Sequence, residues 1–96
     1  MTPAGDGVRR RRVVVVNDRG LHARAAAKFV KLAGRYKADI QVANDDTEVS
    51  GLSIMGLMML AAAKGTALEL RAAGDQADAA LDALAGLVAN RFDEDA

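Results

Sequence analysis

The hydrophobic period of this chain changes from segment to segment, and the order of those changes leaves few folds open. Residues 13–16 are a β-branched run, the pattern of a strand buried on both faces or central in its sheet. Asn17, Asp18, Arg19 and Gly20 supply turn chemistry. Ala26, Phe29, Val30 and Ala33 then fall at i, i+3, i+4 and i+7, one face of a helix that starts near His22 and stops at Gly34. Ile40 and Val42 alternate with Asp39 and Gln41, Asn44 to Asp46 turn the chain, and residues 47–51 return as the partner of a hairpin. Ser53 can cap a compact apolar helix over residues 54–60, which Lys64-Gly65 ends. Residues 66–72 alternate Leu68 and Leu70 with Glu69 and Arg71 as a fourth strand. A last helix follows Gly74, with Asp75 as its N-cap, Asp78 in the acid-preferring first turn, and Ala77, Ala80, Leu81, Leu84, Leu87 and Val88 as its core stripe.

The order is therefore β-α-β-β-α-β-α, a split βαβ plan with one extra helix. Alternating polar positions in strands two to four give the sheet one wet face, so the helices cover the other: an α+β, open two-layer sandwich. Ninety-six residues allow one such domain, over residues 12–91. Residues 1–11, with the only proline and most of the Arg9 to Arg12 run, read as a flexible basic leader, and residues 92–96 as an acidic tail. The arginines themselves read as a solvated flank of the first strand, suited to attracting acidic partner surfaces.

Several function classes drop out. The absence of cysteine removes disulfides, thiolate chemistry and cysteine-based zinc sites, and nothing points to a metal or cofactor. Formal charge is zero, so no global field favours nucleic acid or anionic membrane. A split βαβ nucleic-acid binder using the arginine run would stack bases on strand aromatics, and the strands carry none. The longest unbroken apolar stretch, residues 57–63, is too short to cross a bilayer, and no signal-peptide core is visible. A soluble, cytoplasmic protein is the expectation.

The chemistry concentrates in Gly20-Leu21-His22-Ala23-Arg24. His22 is the only histidine and stands at the start of the first helix, whose unpaired amides, here those of Ala23 and Arg24, form an anion site at the positive end of the helix dipole. Arg24 adds a guanidinium that forks onto phosphate oxygens. Gly20 lets the chain turn tightly beside the ring. Neutral imidazole is a nucleophile near pH 7, and phosphoryl transfer asks mostly for positioning and charge.

The run Gly20-Leu21-His22-Ala23-Arg24-Ala25-Ala26-Ala27-Lys28-Phe29-Val30 resembles the active-site motif of the HPr family, the histidine-containing phosphocarriers of the phosphoenolpyruvate-dependent phosphotransferase system. Ser53-Ile54-Met55-Gly56-Leu57-Met58 is similar to that family's regulatory-serine motif, and Lys64-Gly65-Thr66 to the turn before its last strand. The likeness covers roughly residues 12–90. It implies a four-stranded antiparallel sheet covered on one face by three helices, and a monomeric carrier rather than an enzyme. It also implies phosphorylation of His22 on Nδ1 by enzyme I, donation to an enzyme IIA domain for sugar uptake or regulation, and Arg24 on the phosphoryl oxygens. Ser53 would be the hydroxyl modified by an HPr kinase/phosphorylase, although an N-cap role alone accounts for a serine there.

Ile54, Met55, Leu57, Met58 and Met59 are too many apolar residues for one face of a short helix. Most are expected in the core, with Ile54 and Met55 exposed as the docking patch for enzyme I and acceptors. One position departs from the sugar-system pattern: Ala25 stands where proline usually follows the arginine. That variant is more similar to the nitrogen-related branch of the system. The alternative it raises is a regulatory, partner-binding protein controlled through Ser53, though relatives acting through serine alone lack the histidine.

Overall fold

Arg11, Leu70 and Val42 lie side by side on three neighbouring strands, and their register sets the architecture. In a computed structural model that describes residues 7–96, the chain runs through β1 (Arg9–Val14), α1 (Ala23–Ala33), β2 (Asp39–Asn44), β3 (Thr47–Ser50), α2 (Ile54–Met59), β4 (Ala67–Ala73) and α3 (Ala77–Ala89). A short 3-10 turn, Arg91–Asp93, follows. The four strands form one antiparallel sheet in the order β1-β4-β2-β3. The order of elements is the one that the period changes predict, and the three helices cover one face of the sheet.

Leu68 and Leu70 of β4, Ile40 and Val42 of β2, and Val13 of β1 turn to that face and meet Ala26 and Phe29 of α1, Leu81 and Leu84 of α3, and Leu57 of α2. Each fully buried Leu or Ile in this cluster contributes about 1.5–3 kcal/mol relative to exposure. The opposite face stays wet. There the Arg71 guanidinium bridges Glu69, at 2.5 Å, and Glu48, while Arg10 lies 3.8 Å from Glu69.

Four expectations are corrected. The 13–16 run is not doubly buried or central. β1 is an edge strand, Val13 and Val15 face the core, and Val14 and Val16 are 44% and 37% exposed. A β-branched run reports pleat preference, not how many faces are covered. The leader does not reach residue 11, because Arg9 to Arg11 are part of β1. Arg11 binds Asp82 at 2.6 Å and Arg9 approaches Asp78 at 3.7 Å, both acids on α3. Residues 1–6 of that leader lie outside the described residues.

Nor is Asp75 the N-cap of α3. Gly74, at φ +122°, turns the chain so that Gln76 takes that position, with its side chain spent on accepting the Lys37 N–H at 2.6 Å. Finally, the domain does not stop at residue 91. Phe92 is wholly buried in the core, so the acidic residues after it start from a fixed anchor.

Candidate functional site

His22 occupies the N-cap of α1 in an extended conformation (φ −76°, ψ 178°), and its side chain makes no capping bond of its own. Ala26 is the first residue whose amide bonds back into the helix, to His22 O at 2.8 Å. The amides of Ala23, Arg24 and Ala25 therefore precede the hydrogen-bond ladder, at the positive end of the helix dipole. Ala25 is fully buried, whereas Ala23 and Arg24 are exposed.

The loop entering the helix is held from two sides. Gly20 sits at φ +65°, and a Cβ there would come within 2.5 Å of Ala62 O. That close approach lets Leu21 N–H reach Ala62 O at 2.9 Å. Only glycine meets both demands without strain. Asn17 is completely buried, and its Nδ2 donates to Gly20 O at 2.8 Å and to Glu94 Oε1 at 2.9 Å. On the outer side Lys64 binds Asp18 at 2.9 Å, and this hydrogen bond and the lysine charge hold the Asp18 carboxyl below its ordinary value.

Glu94 also meets the histidine. Its Oε2 shares a hydrogen bond with His22 Nε2, and the two side chains are only 15% and 18% exposed. Burial by itself would raise the Glu94 carboxyl. Hydrogen bonds from His22 and Asn17, with the charges of His22 and Arg19, outweigh it and hold the group below its ordinary value. The segment bearing Glu94 is pinned by Lys28 Nζ on Phe92 O at 2.7 Å and by Asp18 N–H on Ala96 O at 3.0 Å. Next to Glu94, Arg19, Arg24 and Lys28 line an open cleft of mixed charge together with Asp18, Asp93, Glu94 and Asp95. The arrangement offers an imidazole with one nitrogen engaged, a row of helix amides, and the exposed Arg24 one residue into the helix. Those are the requirements for holding a small anion on a ring nitrogen.

His22, Ala23 and Arg24 are thus together, as their adjacency in sequence requires. Ser53 stands apart, since none of the residues lining the cleft comes from α2. It is the N-cap of α2, where its Oγ accepts the Gly56 N–H at 2.9 Å. Ile54 and Met55 are exposed, at 40% and 75%, but most of the helix is not core. Met58 and Met59 are 44% and 76% exposed, Leu52 just before the helix is 55% exposed, and Leu57 alone within the helix is buried. Six residues packed on α1 and β3 at the margin of the fold have one inward position. Glu94 and Asn17 escaped the sequence reading. Asn17 looks like turn chemistry, and the only hint for Glu94 is an acidic residue near the C-terminus, 72 positions from the histidine.

Comparison with known proteins agrees with this geometry. The family described as the PTS HPr component phosphorylation site matches residues 9–90. The chain is 55% identical over 83 residues to phosphocarrier protein HPr of Pseudomonas aeruginosa, an alignment covering 85% of this chain and 92% of that protein. It is 43% identical over 84 residues to phosphocarrier protein NPr of Shewanella violacea, covering 88% of this chain and 92% of the relative. The fold superimposes on a crystal structure of HPr-C-His from Thermoanaerobacter tengcongensis with a TM-score of 0.87 at 36% identity, over 92% of this chain and 99% of that one. A split βαβ sandwich with its sole histidine at a helix N-cap, matched in sequence and in fold over most of its length, belongs to the HPr family of phosphocarrier proteins of the phosphotransferase system.

Proposed function

We propose that His22 accepts a phosphoryl group from phosphorylated enzyme I and passes it to an enzyme IIA domain. The observation that carries this reading is the ring at the N-cap of α1, outside the core, with Nε2 engaged by Glu94 and the exposed Arg24 in the first turn of the helix. Nδ1 is then the nitrogen left to bond phosphorus. The amides of Ala23 and Arg24, with the Arg24 guanidinium, receive the phosphoryl oxygens. A loose transition state spreads charge over those oxygens, so fixed donors do most of the work. The protein acts as a carrier: it is consumed and regenerated, and working as a monomer in the cytoplasm it presents the same face to each partner in turn.

The exposed side chains of Leu52, Ile54, Met55, Met58 and Met59 support α2 as the docking surface for enzyme I and its acceptors. Ser53 lies at the edge of that patch, partly exposed. Its modification by an HPr kinase would add nearly two negative charges beside an apolar contact face and weaken docking. Ala25 is the observation behind a second reading, a regulatory branch of the system in place of sugar uptake; relatives named HPr, at up to 55% identity, are more similar than the NPr at 43%.

The test is incubation with enzyme I and labelled phosphoenolpyruvate. Acid-labile, base-stable phosphate on the wild type and none on His22→Ala is the expected result; label retained by His22→Ala would refute the assignment. Acid-stable label on Ser53, dependent on ATP and kinase, tests the regulatory layer separately.

A further inference from the structure

Phosphate transfer through His22 gives work to the ring, the helix amides and the cations, but none to the carboxylate of Glu94. We propose that Glu94 is a positioning residue for phosphoryl transfer: it keeps the ring proton on Nε2 and so presents the Nδ1 lone pair to the incoming phosphorus, while Asn17 holds Glu94 in place. The proposal rests on His22 being the phosphoryl acceptor.

The tautomer follows from hydrogen-bond chemistry. An ionised carboxylate has no proton to give, so in its bond with Glu94 Oε2 the donor is His22 Nε2–H. The other oxygen, Oε1, accepts from Asn17 Nδ2 at 2.9 Å, and that amide is itself fixed by its second bond to Gly20 O at 2.8 Å. Asn17 has no exposed surface and the Glu94 side chain has little, so the carboxylate is oriented on both sides. Depression of the Glu94 carboxyl by these same hydrogen bonds keeps it ionised at neutral pH. A carboxylate that fixes the tautomer and rotation of a working histidine through its second nitrogen is a recurring device in enzymes and metal sites.

The consequence for transfer can be followed atom by atom. The Nδ1 lone pair forms the N–P bond as the donor's bond to phosphorus breaks, and that electron pair returns to the donor. The ring, still carrying its Nε2 proton, is now a phosphorylated imidazolium whose positive charge lies against the Glu94 carboxylate. In the second transfer the acceptor's lone pair bonds phosphorus, the N–P bond breaks, and its electrons return to Nδ1. Neutral imidazole is restored with the proton where it began. A protonated ring is the better leaving group, so one contact serves both directions. Nδ1 and Nε2 lie on different sides of the ring, which keeps the carboxylate off the phosphoryl oxygens, and the charge of Arg19 also acts on Glu94.

The test combines ring 15N chemical shifts at neutral pH, which report the tautomer, with the rate of labelling by enzyme I and phosphoenolpyruvate. Wild type should show Nε2 protonated and Nδ1 bare. Glu94→Ala should mix the two tautomers and slow labelling about 10- to 100-fold, the range typical when a histidine loses its orienting partner. Glu94→Gln, whose carbonyl still accepts from Nε2–H, should keep the tautomer and recover part of the rate, a rescue that a merely structural role would not produce. An unchanged tautomer in Glu94→Ala, or labelling as fast as wild type or faster, would overturn the proposal. Faster labelling would make the contact a shield to be displaced. Absence of label on wild type would instead sink the acceptor assignment, which the tautomer measurement does not depend on.

Discussion

Phe92→Ala asks the most of the tail. Arg91, Phe92 and Asp93 all have left-handed backbones, φ 58°, 52° and 64°, and each costs about 1–2 kcal/mol in a non-glycine residue, or roughly 3–6 kcal/mol together. Four hydrogen bonds tie the closed tail to the chain before α3: His22 to Glu94, Asn17 to Glu94, Lys28 to Phe92 O and Asp18 to Ala96 O. Three of them have an ionised partner, so at about 1–2 kcal/mol each the four contribute roughly 4–8 kcal/mol, of the same order as the strain. The completely buried Phe92 ring, worth about 1.5–3 kcal/mol on transfer, therefore decides that the tail is closed. Phe92→Ala should lower global stability by about 2–3 kcal/mol, less than the 3–5 kcal/mol usual for a buried Phe to Ala, because the tail can open and shed its strain. Urea denaturation gives the stability change, and amide exchange at Asp18, whose N–H is bonded to Ala96 O, reports opening. A loss above about 4 kcal/mol with Asp18 still protected would mean that strain and hydrogen bonds do not offset each other and that the tail stays closed without the ring.

Gly20→Ala places a Cβ 2.5 Å from Ala62 O at a positive φ, and should cost about 2–3 kcal/mol in a thermal melt while disordering the loop into His22. Ser53→Ala should lose about 1 kcal/mol through the missing bond to Gly56 N–H, and Ser53→Asp should recover it, since aspartate caps equally well. The same Ser53→Asp protein should be labelled more slowly by enzyme I if docking uses the α2 face; an unchanged rate would count against that surface. Glu94 supplies a pH signature. Its folded carboxyl lies below the ordinary 4.5, so the unfolded chain binds the extra proton on the acid side. Its contribution is full above about pH 4.5 and fades as pH falls through the folded value, so urea midpoints of wild type and Glu94→Gln should converge in acid and part towards neutrality.

Much of the site was legible because its parts are neighbours in the chain. A glycine, the sole histidine and an arginine at a helix start are local features, and the capping role of Ser53 follows from the residues beside it. What failed was whatever depended on which surface an element meets. The valine run carries no record of becoming an edge strand, and the composition of α2 could not show that one position alone would be covered.

Hydrophobic period, turn residues and helix-start chemistry determined the order of elements, the open sandwich and the place of the histidine. They act over a few residues, and local sterics and hydrogen bonding decide them before any long-range contact exists. Tertiary structure alone brought Glu94 to His22. That required a buried Phe92 to offset three left-handed residues and a buried Asn17 to aim the carboxylate, and packing energies of that kind arise only once distant segments share a core.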